Sequence, residues 1–286
     1  MDKIKNCLYA LACAIIIELI TIPLRGYVSY MASGVVAYTL YFISFLYCVT
    51  KEKAWVVLCA MLLGWGFVNL PFRIFYWPET LISLPSVSMH ILGIFTGYLF
   101  GKVKKCRTIF MVIPSVVLCV LFYTKYELWI HYVNFGTFSG QVEQIIDIPI
   151  LFQDNAGNNI SLSDFKGKYV IFDFWNSSCS ACIRAFPNVQ VLYEKLSETK
   201  TFEIYSVFCW MAKRNEASQT GVDILFQRGY SFPILSMDIN NPILQKMRIN
   251  SFPTVIIFDP DGRLIFRGNI EHATDYLHLL IKDDNG

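Results

Sequence analysis

Phe172-Asp173-Phe174-Trp175-Asn176-Ser177-Ser178-Cys179-Ser180-Ala181-Cys182 is the stretch that decides the fold of the C-terminal half of this chain. It opens inside an apolar run, Tyr169–Trp175, broken only by Asp173, and such a run reads as a strand buried on both faces. It closes on a C-x-x-C pair, after which Ile183, Phe186, Val189, Leu192 and Leu196 recur at helical spacing. The pair alone is a weak signal, since nine cysteines scattered over 286 residues give roughly 0.3 such spacings by chance. Its position carries the inference. At the first turn of a helix, unpaired N–H groups and the helix dipole stabilise a thiolate, so Cys179 is expected to ionise readily. A thiolate attacks a disulfide, a mixed disulfide forms, and a neighbouring thiol resolves it. Cys179 is the expected attacker and Cys182, one turn inside the helix, the expected resolver.

On either side of this stretch the apolar periods stay short, as in a water-soluble α/β domain. Strands are expected at Ile148–Phe152, Phe202–Trp210, Thr254–Phe258 and Leu264–Arg267. Turns are expected at Asp154–Asn159 and at Asp259-Pro260-Asp261-Gly262, and a last helix at Ala273–Ile281.

The N-terminal half has a different character. The whole chain is 55% hydrophobic and 16% charged, where a soluble domain carries about 25% charged residues. The excess apolar content sits in stretches near the ~20 residues a membrane-spanning helix needs: Cys7–Leu24, Tyr27–Val49, Ala54–Trp77, Leu81–Gly101 and Thr108–Tyr123. Asn69, Pro71 and Arg73 make the outer end of the third the weakest. Lys3 and Lys5, then Lys51 and Lys53, then Lys102, Lys104, Lys105 and Arg107 mark one side, against only Arg25 and Arg73 on the other. Basic residues stay in the cytoplasm, so the N-terminus is expected inside and, after five spans, the C-terminal domain outside. Glu18 and His90 fall inside spans, and a mutual pair, or a pair of Glu18 with Arg25, is the expected way to satisfy them. Gly64, Gly66, Gly93 and Gly97 are expected to let helices approach closely. A net charge of +2 without a basic run excludes nucleic acid as a favoured partner.

The stretch from Phe172 to Cys179 resembles the strand and loop that enter the active site of thioredoxins. Upstream, Ile160-Ser161-Leu162-Ser163-Asp164-Phe165-Lys166-Gly167-Lys168 is similar to a pattern of the TlpA/ResA-like thioredoxins, membrane-tethered proteins that work outside the bacterial cytoplasm. The resemblance covers about residues 145–284. It implies that Asp173 is the buried acid that accepts a proton for the resolving cysteine. It further implies that Pro253 is the cis-proline facing the cysteine pair, that Phe252 pairs with substrate through its backbone, that Trp175 lies at the substrate surface, and that Pro187 kinks the active-site helix. Two departures stand out. Ser178 replaces the tryptophan usual before the first cysteine, and Phe202–Trp210 lacks the lysine that partners the acid in thioredoxin.

The chain therefore divides, as expected, into a multi-pass α-helical membrane domain (1–124), an interfacial linker (125–144) and an α/β thioredoxin-like domain (145–286). The expected activity is thiol–disulfide exchange with cysteine-containing exported proteins, more often as reductant. The cysteine pair itself serves as redox group, without a further cofactor or a metal, and a membrane thiol partner supplies or accepts electrons. The expected location is the bacterial cell membrane. Two other readings are a membrane electron conduit feeding its own thioredoxin domain, and a non-catalytic binding protein. The remaining cysteines, Cys209 among them, are expected to pack rather than react.

Overall fold

Five long helices occupy the first half of the chain: α1 (Asp2–Tyr27), α2 (Tyr30–Cys48), α3 (Ala54–Phe75), α4 (Leu84–Lys102) and α5 (Ile113–Phe135). Each is long and apolar enough to cross a membrane. The structure, a computed structural model, describes residues 2–102 and 112–284. Lys104, Lys105, Cys106, Arg107 and the first residues of the expected fifth span, 108–111, lie outside the described residues. Two compact units are present, Met1–Ile130 and His131–Gly286.

In the first unit α2 packs on α4, and α1 on both α2 and α3. Ala10, Ala14, Tyr41, Phe45, Met61 and Ile94 form its core. Three of the four glycines act as expected. A Cβ on Gly93 would come within 2.5 Å of the Tyr38 carbonyl oxygen, one on Gly97 within 2.7 Å of Phe45, and one on Gly64 within 2.8 Å of Ala14. Gly66 is the exception, because only Leu70 of its own helix lies near. Helix α3 runs unbroken through Pro71 to Phe75. Its two interrupting polar side chains bond locally: Asn69 donates to the Trp65 carbonyl (3.1 Å), and Arg73 to the Thr80 carbonyl (3.0 Å) and the Ser83 hydroxyl (3.1 Å). Glu18 meets His90, with Oε1 2.7 Å from Nδ1, and the same oxygen accepts the Tyr41 hydroxyl at 2.7 Å. Residues 125–135, expected as the start of the linker, continue α5. No breaker intervenes, and the Thr124 hydroxyl bonds back to the Val120 carbonyl (2.9 Å). Gly136, at φ +74°, ends the helix in the left-handed conformation.

The second unit is built on an eight-stranded mixed sheet in the order β1-β8-β7-β4-β5-β6-β2-β3. The strands are β1 (Gln141–Gln144), β2 (Leu151–Gln153), β3 (Asn159–Ser161), β4 (Tyr169–Trp175), β5 (Phe202–Trp210), β6 (Ile234–Asp238), β7 (Thr254–Phe258) and β8 (Leu264–Gly268). The apolar run expected to be central is central: β4 pairs parallel with β5 and antiparallel with β7. Its alternating side chains feed two cores. Ile171 and Trp175 meet α6 (Ser180–Ser197) and α9 (Ile270–Asp284), while Val170, Phe172 and Phe174 meet Ile243 and Leu244 of the short α8 (Pro242–Lys246). A further helix, α7 (Ser218–Gln227), packs on β5 and β6. The Ile160–Lys168 segment owes its shape to a capping box, in which Ser161 and Asp164 satisfy each other's backbone N–H region.

Candidate active site

Asn176 starts the turn that lifts the chain off β4. Its side-chain oxygen accepts the Ser178 N–H (3.0 Å) and its carbonyl accepts the Cys179 N–H (3.2 Å). Cys179 then caps α6 with extended backbone angles, and its sulfur accepts the Cys182 N–H at 3.0 Å. The two cysteines are joined by a disulfide with a Cα–Cα distance of 5.2 Å. Cys179 is half-buried, whereas Cys182 is 1% exposed and belongs to the core between the sheet and α6. A half-buried cysteine at a helix N-terminus sits next to one that is sealed. Such an arrangement suits attack at the first sulfur and resolution by the second.

Asp173 lies on the face of β4 that α6 covers. It is 1% exposed, and its Oδ1 has no hydrogen-bond partner among the described residues. Burial, helped by the negative charge of Glu271, raises its carboxyl to about 7. The strand position opposite it is Ser206, whose hydroxyl accepts the Trp175 indole N–H. Cys209 is fully buried on the other side of the sheet, and burial pushes its thiol far up. It is a packing residue.

The Phe252-Pro253 bond is cis. Phe174 pairs with Thr254, so Pro253 falls beside the end of β4, at the sheet edge from which the Cys179 turn departs. Phe252 and Cys179 both pack against the core that contains Cys182. Pro187 lies inside α6. Trp175 differs from expectation. Its ring is 0% exposed, lying 5.0 Å from the Phe186 ring and 4.8 Å from that of Phe208, so it supports the turn from beneath and presents nothing to a substrate.

Sequence reading missed Glu216. Its carboxylate accepts the Ser177 hydroxyl and, at 3.0 Å, the Met211 N–H, tying the turn before Cys179 to the loop after β5. Nothing local to either residue signals a contact spanning 39 positions. In the first unit Cys7, Cys13, Cys48, Cys59 and Cys119 are free thiols.

A family model described as thioredoxin-like matches residues 167–264. The thiol-disulfide oxidoreductase ResA of Bacillus subtilis is 27% identical over 186 residues, covering 62% of this chain and 96% of that protein. ResA of Bacillus thuringiensis is 28% identical over 184 residues, covering 63% and 97%. Among solved structures, the thioredoxin domain of a thiol-disulfide oxidoreductase from Bacteroides vulgatus is 25% identical and covers 48% of this chain and 97% of that one, with a TM-score of 0.40. The cysteine pair lies inside the matched segment. The chain is thus a thiol–disulfide oxidoreductase whose thioredoxin-like domain is similar to the ResA proteins, with five long apolar helices preceding that domain.

Proposed function

We propose that this protein is embedded in the bacterial membrane by its five helices and reduces disulfides of exported proteins with Cys179 and Cys182. The observation that carries this reading is the asymmetry of the pair. The half-buried Cys179 sulfur at the start of α6 receives a backbone N–H, while Cys182 is sealed behind it. In the reduced state the same N–H and the helix dipole stabilise the Cys179 thiolate. That thiolate attacks one sulfur of the substrate disulfide and expels the other as a thiol. Asp173 takes the proton of Cys182, whose thiolate then attacks Cys179, closing the intramolecular disulfide and releasing the second substrate thiol. The balance is two electrons from the cysteine pair and two protons, one given up by Cys182 to Asp173 and one taken from solvent. The Phe252 backbone at Pro253 pairs with an extended substrate segment, as an added strand does. A membrane thiol partner restores the dithiol.

Reduction of insulin disulfides by the full chain in detergent tests the chemistry. Cys179→Ser is expected to abolish it, and Cys182→Ser to accumulate a mixed disulfide with insulin. Unchanged turnover in Cys179→Ser removes the mechanism. Direction is tested by the potential of the pair: a value near about −270 mV marks a reductant, one near about −120 mV an oxidant.

A further inference from the structure

Where α1 and α3 end and α4 is about to begin, the first unit holds a cavity of about 180 Å³. Arg25, Asn69, Arg73, Thr80 and Ser83 supply its polar lining, and Ile22 and Phe72 part of its apolar lining. Arg73 is engaged with Thr80 and Ser83, as described above. Arg25 is not. Its Nε and Nη2 are shielded from solvent and donate to nothing among the described residues, and the Thr80 hydroxyl is likewise buried without a partner. Three unsatisfied donor atoms therefore line one small space, although buried donors are almost always paired.

The pattern of the unsatisfied atoms identifies the missing acceptor. Nε and Nη2 form one edge of the guanidinium plane, and that edge receives two oxygens of a single oxyanion side by side. The nearest candidate inside the protein, Glu18, does not fill this role. Its Oε1 is taken by His90 and Tyr41, and its Oε2 has no partner. Other groups in electrostatic reach of Arg25 include the phenols of Tyr30 and Tyr126 and the Arg73 guanidinium. Two guanidinium charges against one carboxylate leave the region positive whichever protonation state His90 takes.

We infer that this cavity binds a phosphate-type oxyanion, gripped by the Arg25 fork with the Thr80 hydroxyl as an additional donor. The site is separate from the cysteine pair and does not depend on its chemistry. Ile22 and Phe72 are exposed on the helix surfaces beside the cavity, an apolar approach suited to the headgroup of an anionic lipid; free phosphate presents the same oxygens.

Delipidated full-length protein in detergent is titrated with phosphatidylglycerol and phosphatidylcholine by native mass spectrometry, and with inorganic phosphate by calorimetry. Selective retention of phosphatidylglycerol supports a lipid source, and binding of inorganic phosphate supports a free one. In either case Arg25→Gln is expected to weaken binding roughly tenfold to a hundredfold. Arg25→Lys, which keeps the charge and loses the fork, and Thr80→Val, which is milder on the fold, are expected to weaken it in the same direction. A wild-type helical circular-dichroism spectrum and thermal unfolding profile in detergent verify that each variant is folded. The inference is overturned if neither probe binds the wild type, if both lipids bind alike and phosphate does not bind, or if the folded variants bind as the wild type does.

Discussion

Asp173 is the residue whose chemistry is most exposed to test, because its burial makes two separate claims on pH. An unfolded chain gives up this proton near the ordinary carboxyl value, 3.8, whereas the folded protein holds it to about 7. Between those values the folded state binds more protons than the unfolded state, so stability falls as pH rises through the window and the loss is complete above it. Asp173→Asn removes the ionisation. It is expected to match the wild type near about pH 4 and to exceed it above about pH 7, by up to about 4 kcal/mol, in denaturant melts at the two values. Catalysis runs the other way. As proton acceptor for Cys182 the carboxyl must be ionised, so resolution of the mixed disulfide is expected to accelerate in the wild type as pH rises through about 7 and to be slow and flat there in Asp173→Asn. A variant that is more stable yet slower at high pH separates a catalytic acid from a merely buried one. Much of this was legible in the sequence, since a single acid in an apolar run is a buried acid. The influence of Glu271 was not, because it arrives from a helix about a hundred residues away, brought near only by folding.

Among the elements, β4 and α6 set the geometry of the pair, and both were readable because each is strongly patterned. The ends of β4, β5 and β7 coincide with the expected runs. The pieces that escaped are the weakly patterned ones. α7 carries Gly221 in its interior, a poor helix former, yet a Cβ there would come within 2.6 Å of the Phe208 ring, so packing selects the glycine that propensity disfavours. β6 and α8 are five residues each, too short to show a period. β1 and β3 owe their existence to the partners they pair with. The join between the two decisive elements is aromatic. Phe186 of α6 meets the edge of Trp175 from β4 and the rings of Tyr230 and Phe232. Phe186→Ala leaves a cavity directly beneath the cysteine turn and is expected to cost about 3–5 kcal/mol in thermal or denaturant unfolding. A loss under about 1 kcal/mol would mean that the helix is held to the sheet by something else.

At the scale of the whole chain, charge predicts the orientation of the proposed membrane spans. The joint between α2 and α3 carries Lys51 and Lys53, while the ends of α1 and α3 carry only Arg25 and Arg73. Arg25 and Arg73 both line the cavity described above, so local roles account for them and they weigh little as topology signals. Lys51 lies outside that cavity, donating to the Tyr47 hydroxyl and lying over the exposed rings of Tyr9 and Tyr47. Lysine-bearing joints are expected to stay in the cytoplasm, and five crossings are then expected to deliver the thioredoxin-like domain to the outer face, as proposed. Cys179 is well placed to report the outcome, being half-buried where Cys182 and Cys209 are sealed. On a background with Cys7, Cys13, Cys48, Cys59, Cys106 and Cys119 changed to serine, mild reduction of intact cells followed by a membrane-impermeant maleimide is expected to label Cys179. A cysteine placed at Lys51→Cys in the same background, with Cys179→Ser, is expected to react only after permeabilisation. The reverse pattern would put the domain in the cytoplasm, where glutathione and thioredoxin already keep thiols reduced and a tethered reductant for exported proteins has no substrate.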